Sequence, residues 1–595
     1  MRIVQVRIKN FRGIKELCWT PGKHNVLIGQ INSGKSTLLN AMALVLDPDY
    51  GRRSQPVSEG DFYGMELMKD GEPVSLEVEV VLSDLAAAEQ EEFLEFYEPW
   101  DTETKSLVTT AQDVSVLNDQ KRYTFAIRMA FRARYNAGED AIDTIWHYPK
   151  FSFLTNDFDY RQCPRADREK VGFFLIPAER DVRQALSFSR YSALDKALRQ
   201  GNVKLDPQLK VIAQDVQGKG LHLFDNSGFS ELITSVERQV SSLLPLESSV
   251  EHRLYFDLSA LGHYDLMNIL RAYIALAGQN RAYPVANQGT GTRQILVLSA
   301  LRVLSSRRQQ TILALEEPET GLHPHMQRAL VSDLIGAADQ TVITTHSVHV
   351  AQVVAPDSVY TVINDGGTAR LLSAAVPPKL GEDSVRAVAR VRNQSPGEFI
   401  NALLGSAVLL VEGQGDREAI PVLLRRLASE NREQYVDPDR IGLTAIDCLS
   451  KSNIPKVAPY YRQHLRKQVF AVIDGDKGGD TDLERVAREC LAVFVWPAKH
   501  AIERVLLSGA SQETLEAFAD EVTRLGDEYF VKARSHGGAL SEITFNYLKN
   551  DKPNARLFAE FLPTKEIAAP VRQLSQALMR IAGGQVPQGV IRIGT

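Results

Sequence analysis

Apolar positions recur along this chain in two patterns, and the patterns separate its parts. Near the start Val4, Val6 and Ile8 alternate with Gln5, Arg7 and Lys9, the period-two signature of a half-buried strand. The same alternation returns in Leu76, Val78 and Val80 against Glu77 and Glu79. It appears again in Phe125, Ile127, Met129 and Phe131, against a face carrying Arg128, Arg132 and Arg134. These segments predict antiparallel strands with one solvated face. Elsewhere segments are rich in apolar residues without alternation: 25–28, 173–177, 311–315, 341–345, 407–411 and 469–473. Such runs predict strands buried on both faces, as in parallel sheets covered by helices. Helical patterns predominate over 86–110 and 181–278 and predict inserted helical arms, for which dimerisation is the expected role. The fold class is α/β.

A chain of 595 residues is too long for one core, since domains run to about 100–200 residues each. Pro377-Pro378 and the Gly381-Glu382-Asp383 cluster mark a boundary. The expected division is therefore a first domain over 1–375, with arms at about 181–278, a linker over 376–404 and a second domain over 405–595. The linker carries a helix with Arg386, Arg390 and Arg392, by default a solvated face.

Composition narrows the function by exclusion. No apolar run approaches the ~20 residues of a membrane span, and MRIVQVRIKNF lacks the features of a signal peptide, so the expected location is cytoplasmic. Cys18, Cys163, Cys448 and Cys490 lie far apart, which argues against a zinc site or disulfide framework. A net charge of -6 makes the whole molecule no general polyanion binder, so nucleic-acid contact requires local basic patches or metal.

The candidate chemistry sits where apolar runs end. The run 25–28 leads into Gly29-Gln30-Ile31-Asn32-Ser33-Gly34-Lys35-Ser36-Thr37 and then a helical pattern, a full G-x-x-x-x-G-K-[ST] in its strand-loop-helix setting. Gly29, Asn32, Ser33, Gly34 and Thr37 would cradle phosphates of ATP with backbone N–H groups. Lys35 would reach the β- and γ-phosphates, and Ser36 would ligate Mg²⁺. Gly289 and Gly291, in the loop 288–294, precede a helical pattern suited to a γ-phosphate. Glu316 and Glu317 end the 311–315 run, one to hold the Mg²⁺ shell and one to orient water. His346, ending the next run, is placed to sense the γ-phosphate. Arg180, after the 173–177 run, is either structural or faces a nucleotide across a dimer.

The second half repeats a single design twice. Run 407–411 ends at Glu412, with Asp416 four positions on; run 469–473 ends at Asp474, with Asp476 beyond Gly475. Carboxylates gathered at the C-terminal ends of parallel strands lie where such sheets bind ligands, and they repel one another unless a hard divalent cation joins them. A turn residue or helix cap would explain one such acid, but not four in the same arrangement twice. Glu503 follows a third apolar strand, and Lys552 precedes an amphipathic helix.

The acid pairs resemble the Toprim domain, whose pattern is a strand ending in Glu-Gly and a later one ending in Asp-x-Asp. FRG near the start, GQINSGKST, the Gly-rich loop, EEPETGLHP and TTHS resemble the ABC-type ATPase heads of the SMC and RecF-like class. The closest resemblance is to the overcoming-lysogenisation-defect (OLD) family, in which such a head is fused to a C-terminal Toprim nuclease. Glu316 stands where most ABC ATPases place Asp, and 288–294 departs from LSGGQ.

The resemblance implies an ABC-type P-loop head with helical insertion, followed by a Toprim parallel-sheet domain. It implies ATP and Mg²⁺ or Mn²⁺ as cofactors, with one metal beside ATP. Glu503 would complete the Toprim metal shell and Lys552 would assist the scissile phosphate. Five acids (Glu412, Asp416, Asp474, Asp476, Glu503) suffice for two metals. One phosphate loop and one signature loop per chain imply a homodimer or dimer of dimers. The function implied is an ATP-hydrolysing, metal-dependent DNA endonuclease or nickase regulated by nucleotide. ATP would either license cutting by closing a dimer or hold the cleft shut, and inhibition is the favoured sign because a nuclease active at ordinary cellular ATP levels endangers its host genome. Its setting would be anti-phage defence or DNA repair, sometimes with a separately encoded helicase-like partner. The alternatives are a DNA-bound ATPase clamp with a non-catalytic Toprim domain, and a Toprim ribonuclease.

Overall fold

The computed structural model describes residues 1–48, 56–108, 119, 121–152, 157–178, 227–249, 253–258, 270–307, 311–475, 480–551, 553–585 and 589–594. They form two compact units, Met1–Leu371 and Leu372–Thr595.

The first unit is built on one large mixed sheet. Its antiparallel part runs Asp157–Gln162, Ala141–Ser152, Tyr123–Asn136, Ser75–Ser83, Arg2–Phe11, Ile14–Trp19. The order continues through Thr368–Ser373, Val359–Asp365, His24–Ile28, Gln340–Thr344, Ile312–Glu316 and Phe173–Ile176. From Val359–Asp365 onward the neighbouring strands are parallel. Helix Lys35–Leu46 packs on this sheet, and Leu38, Leu39 and Met42 join Val6, Ile8, Leu27 and Ala314 in the core. That burial anchors the helix whose first turn carries the phosphate loop.

Tertiary pairing overrides the local pattern in three places. Among the described residues of 86–110 only Ala87–Glu92 is α-helical, while Tyr97–Asp101 and Ser106–Leu107 are strands. Tyr97–Asp101 pairs with Tyr123–Asn136, and Trp100 and Leu107 close an apolar cluster with Val4, Val81 and Ala126. As a result the expected solvated arginine face is covered at Arg128. That side chain is 4% exposed and makes two bonds to Glu98, at 3.0 and 2.8 Å. Within the expected helical arm, the described residues include helix Ser227–Ser241 but also antiparallel strands Leu254–Leu258 and Leu270–Ile274, the latter pairing with Tyr283–Pro284 just beyond the arm. Much of 181–278, and Arg180 with it, lies outside the described residues.

The second unit is a five-stranded parallel sheet in the order Leu443–Asp447, Ala407–Val411, Gln468–Gly475, Ala492–Ala498, Gly589–Arg592. The segment 376–404 is no linker. It forms helices Glu382–Gln394 and Pro396–Leu404 within this unit. Phe399 and Leu403 are buried, with Phe399 stacked 5.9 Å from Tyr460. Lys467 donates to the Leu403 carbonyl at 2.6 Å and also to that of Gly405, supplying the last helical turn with a donor. Among the described residues no helix is long and apolar enough to cross a membrane.

Candidate functional site

Two groups of residues gather at strand ends, one in each unit. In the first, pairing sets Leu27 beside Thr344 and Thr344 beside Glu316. Three parallel strands thus deliver the phosphate loop, His346 and Glu317 to the same end of the sheet. Gly29 is required there, because a Cβ would stand 2.6 Å from the Val362 carbonyl oxygen. Gly34 adopts φ 99° and Asn32 φ 62°, the positive-φ backbone from which anion-binding nests are built. The buried Lys35 ammonium donates to the carbonyls of Gly29 at 3.0 Å and Gln30 at 2.8 Å. Burial lowers its pKa, against the pull of the Glu317 carboxylate. Ser33 is buried, Ser36 exposed and Thr37 half-buried.

Glu316 accepts from the Ala178 N–H at 3.3 Å. Glu317 occupies the left-handed region at φ 42°, a conformation that L residues pay for and that clusters at functional sites. His346 stands 3.9 Å from the Glu317 carboxylate. Burial, then Lys35, lowers the His346 pKa, while Glu317 and Glu319 raise it. Glu319, not singled out from sequence, accepts the His346 main-chain N–H at 2.8 Å and so positions that residue. Its signal was its place as the third acid of EEPET. The 288–294 loop is largely helical, since helix Thr290–Arg307 already begins there. A Cβ on Gly291 would lie 2.6 Å from the Gly321 carbonyl oxygen, so glycine allows the helix start to press on the turn after Glu317. Gly289 has open space around it.

In the second unit the Glu412 and Asp474 tips are adjacent, because Ala407–Val411 and Gln468–Gly475 pair in parallel with Val411 beside Val472. Glu412 accepts the Asp474 N–H at 2.8 Å. Asp416, in the first turn of helix Gln414–Glu430, is buried and accepts from the Trp496 indole at 3.3 Å. Glu503 is buried in the first turn of Ile502–Ser508. It comes close to Gly415, where a Cβ would stand 3.5 Å from its carboxylate. Burial, then the Asp474 charge, pushes the Asp416 carboxyl well above the ordinary range, with Glu503 and Glu412 adding to the rise and Trp496 opposing it. Four of the five predicted acids therefore act on one another; Asp476 and Lys552 lie outside the described residues. Among the described residues no three His, Cys, Asp or Glu side chains stand in a metal-ligand arrangement. The donor set nevertheless fits a hard divalent cation, which would relieve the mutual repulsion of the Glu412, Asp416, Asp474 and Glu503 carboxyls that, after burial, raises the Asp416 pKa. Trp496, missed from sequence, is a donor that orients Asp416.

A phosphate loop with a strand-end acid pair on one sheet, and carboxylates from parallel strand tips on another, define a P-loop ATPase joined to a Toprim-type domain. Residues 1–171 and 192–351, more than half of the chain, match the AAA ATPase domain family. Residues 403–476 match the TOPRIM domain of overcoming lysogenization defect-like proteins. The chain belongs to the AAA ATPase domain family, and an OLD-like TOPRIM domain follows the ATPase domain. It is 19% identical over 468 residues to the Old nuclease of Escherichia phage P2, covering 75% of this chain and 73% of that protein. It is 22% identical over 456 residues to endonuclease GajA of Bacillus cereus (strain VD045), covering 73% and 69%. An SMC head domain from Thermotoga maritima is 12% identical over 63% of this chain and all of that one, at a TM-score of 0.31.

Proposed function

We propose that this protein is an ATP-hydrolysing, divalent-metal-dependent DNA endonuclease or nickase that acts in anti-phage defence or DNA repair. One observation carries the nuclease half: Glu412 and Asp474, bonded tip to tip, share a charged neighbourhood with buried Asp416 and Glu503. The two OLD-family relatives, a nuclease and an endonuclease by name, support it.

Glu412, Asp416, Asp474 and Glu503, with Asp476, would hold Mg²⁺ or Mn²⁺, and five acids suffice for two ions. Metal bound there supplies a Lewis acid that makes water nucleophilic near neutral pH and stabilises the leaving oxygen. The chain's own contribution is to hold the carboxylates in place. The Asp474 N–H fixes Glu412, and the Trp496 indole fixes Asp416. Lys552 would contact the scissile phosphate. In the ATPase, the loop from Gly29 to Thr37 would bind phosphates, with Ser36 and Glu316 toward Mg²⁺, Glu317 orienting water and His346 facing the γ-phosphate. Gly289 and Gly291 would complete the nucleotide site from a second copy of the chain, which makes the working form a homodimer or dimer of dimers. A helicase-like partner encoded separately is compatible with this assignment.

Plasmid nicking with Mg²⁺ or Mn²⁺ tests it. Wild-type protein should relax or linearise supercoiled DNA, and Asp474→Ala should not. Intact DNA with wild-type protein, or equal cutting by the variant, overturns the nuclease assignment; cutting of RNA alone would move it to a ribonuclease.

A further inference from the structure

The acid cluster poses a problem for a polyanionic substrate. Carboxylates grouped at strand tips repel a phosphodiester, and bound metal offsets only part of that repulsion. The chain as a whole carries a net charge of -6 and offers no general attraction. A cation built into the rim of the cluster would answer this, and one strand tip presents such a group.

Strand Ala492–Ala498 lies beside Gln468–Gly475, with Gly475 opposite Ala498. Beyond that pair the two chains remain stitched together. The Lys499 N–H donates to the Gly475 carbonyl at 2.8 Å, and the Gly475 N–H donates to the His500 carbonyl at 3.2 Å. Gly475 is the residue between Asp474 and Asp476. A Cβ at Gly475 would stand 2.1 Å from the Pro497 oxygen and 2.5 Å from that of Trp496, so the tips touch backbone to backbone. Lys499 is thereby held against Gly475, the residue that follows Asp474.

Its conformation and its surroundings point the same way. Lys499 adopts φ 65°, a left-handed conformation that Gly or Asn takes more readily. Such outliers in non-Gly residues concentrate at functional sites. The side chain is exposed, and among the described residues its ammonium has no carboxylate or hydrogen-bond partner. Neighbouring groups are already engaged. Arg504 pairs with Glu542 at 3.3 Å and lies 4.2 Å over the Phe545 ring, and the His500 Nδ1–H donates to the Ala498 carbonyl at 2.9 Å.

We propose that Lys499 binds a backbone phosphate of the DNA substrate at the rim of the acid cluster, setting the scissile phosphodiester against Glu412 and Asp474. The proposal rests on the nuclease assignment above, and deepens it by naming a substrate contact distinct from Lys552.

The test uses the full-length protein with three variants. Lys499→Asn removes the charge while tolerating the left-handed turn, Lys499→Gly relieves the turn entirely, and Lys499→Arg keeps the charge at the same strained position. Binding of labelled duplex DNA is measured by anisotropy with Ca²⁺ across a salt series, cleavage is measured with Mn²⁺, and thermal stability is read for each protein. The expected result is that Asn and Gly variants are as thermostable as wild type but bind and reach half-maximal cleavage rate at about tenfold higher DNA concentration. Their salt slope should fall by about one, as for loss of one phosphate contact, and Arg should restore most of the affinity. A purely structural Lys499 would leave the Gly variant unimpaired. Wild-type cutting with unchanged binding and cleavage by Lys499→Asn overturns the Lys499 contact and leaves the nuclease standing. Wild-type binding without cutting, weakened by Lys499→Asn, supports the contact and removes the nuclease.

Discussion

The main-chain N–H of Asp474 donates to a carboxylate oxygen of Glu412 at 2.8 Å, across 62 residues of sequence. Two strand tips are thereby locked in register, and a half-buried carboxylate is held by backbone. Glutamine can accept the same bond through its amide oxygen. Glu412→Gln should therefore fold with a Tm within a few degrees of wild type, and lose metal-dependent DNA cleavage by at least about 100-fold. A nicking time course beside a thermal melt checks both halves.

Asp416 supplies a pH dependence. Its folded pKa lies above the unfolded value of 3.8, through burial and then Asp474. Above pH 3.8 the folded state therefore holds more protons than the unfolded state, and stability falls as pH rises through the folded pKa. Asp416→Asn removes that loss. In EDTA near pH 8 the variant should be more stable by on the order of 1–2 kcal/mol, with the gap narrowing toward pH 4. Added Mn²⁺ should raise the wild-type Tm and leave that of the variant nearly unmoved. Urea denaturation across the pH range reads the first effect.

Gly475→Ala places a methyl group against the Pro497 and Trp496 carbonyls. Neither backbone can yield without parting the strand tips. Destabilisation of about 1–3 kcal/mol is expected, together with loss of cleavage at ATP turnover close to wild type. Paired melts and ATPase assays would show whether the damage stays in the second unit.

In the first unit, Glu317 lies near both Lys35 and His346. Glu317→Gln should keep ATP binding, lower turnover by about 100-fold and accumulate dimers in ATP with Mg²⁺. Lys35→Ala should lose binding itself. Light scattering with nucleotide separates the two, and a monodisperse monomer in the trapped variant would contradict assembly across the nucleotide.

Nucleotide should also bias the nuclease. ATP can do so only by binding cutting-competent and incompetent states unequally. Cleavage is expected to fall as ATP or a non-hydrolysable analogue is titrated, and Lys35→Ala should cut at a constant rate. Identical rates throughout would show two independent sites.

Sequence by itself determined the features that are local. The run from Gly29 to Thr37 is a self-contained loop, its glycines and Asn32 meeting positive φ within nine residues. The acids Glu412, Asp474, Glu316 and Glu317 follow apolar runs whose burial in parallel strands dictates which end they reach. Tertiary structure decided whatever depended on a partner distant in the chain. Residues 97–107 became strands because Tyr123–Asn136 offered an open edge and Trp100 a place in its cluster. Arg128 left the surface because Glu98 arrived over it. Helix Pro396–Leu404 joined the second unit through Tyr460 and Lys467. Glu319, Trp496 and Lys499 gained their places only through contact with His346, Asp416 and Gly475. Periodicity records which face of an element is apolar, but not what will cover it, because that free energy belongs to pairs of residues far apart in the chain.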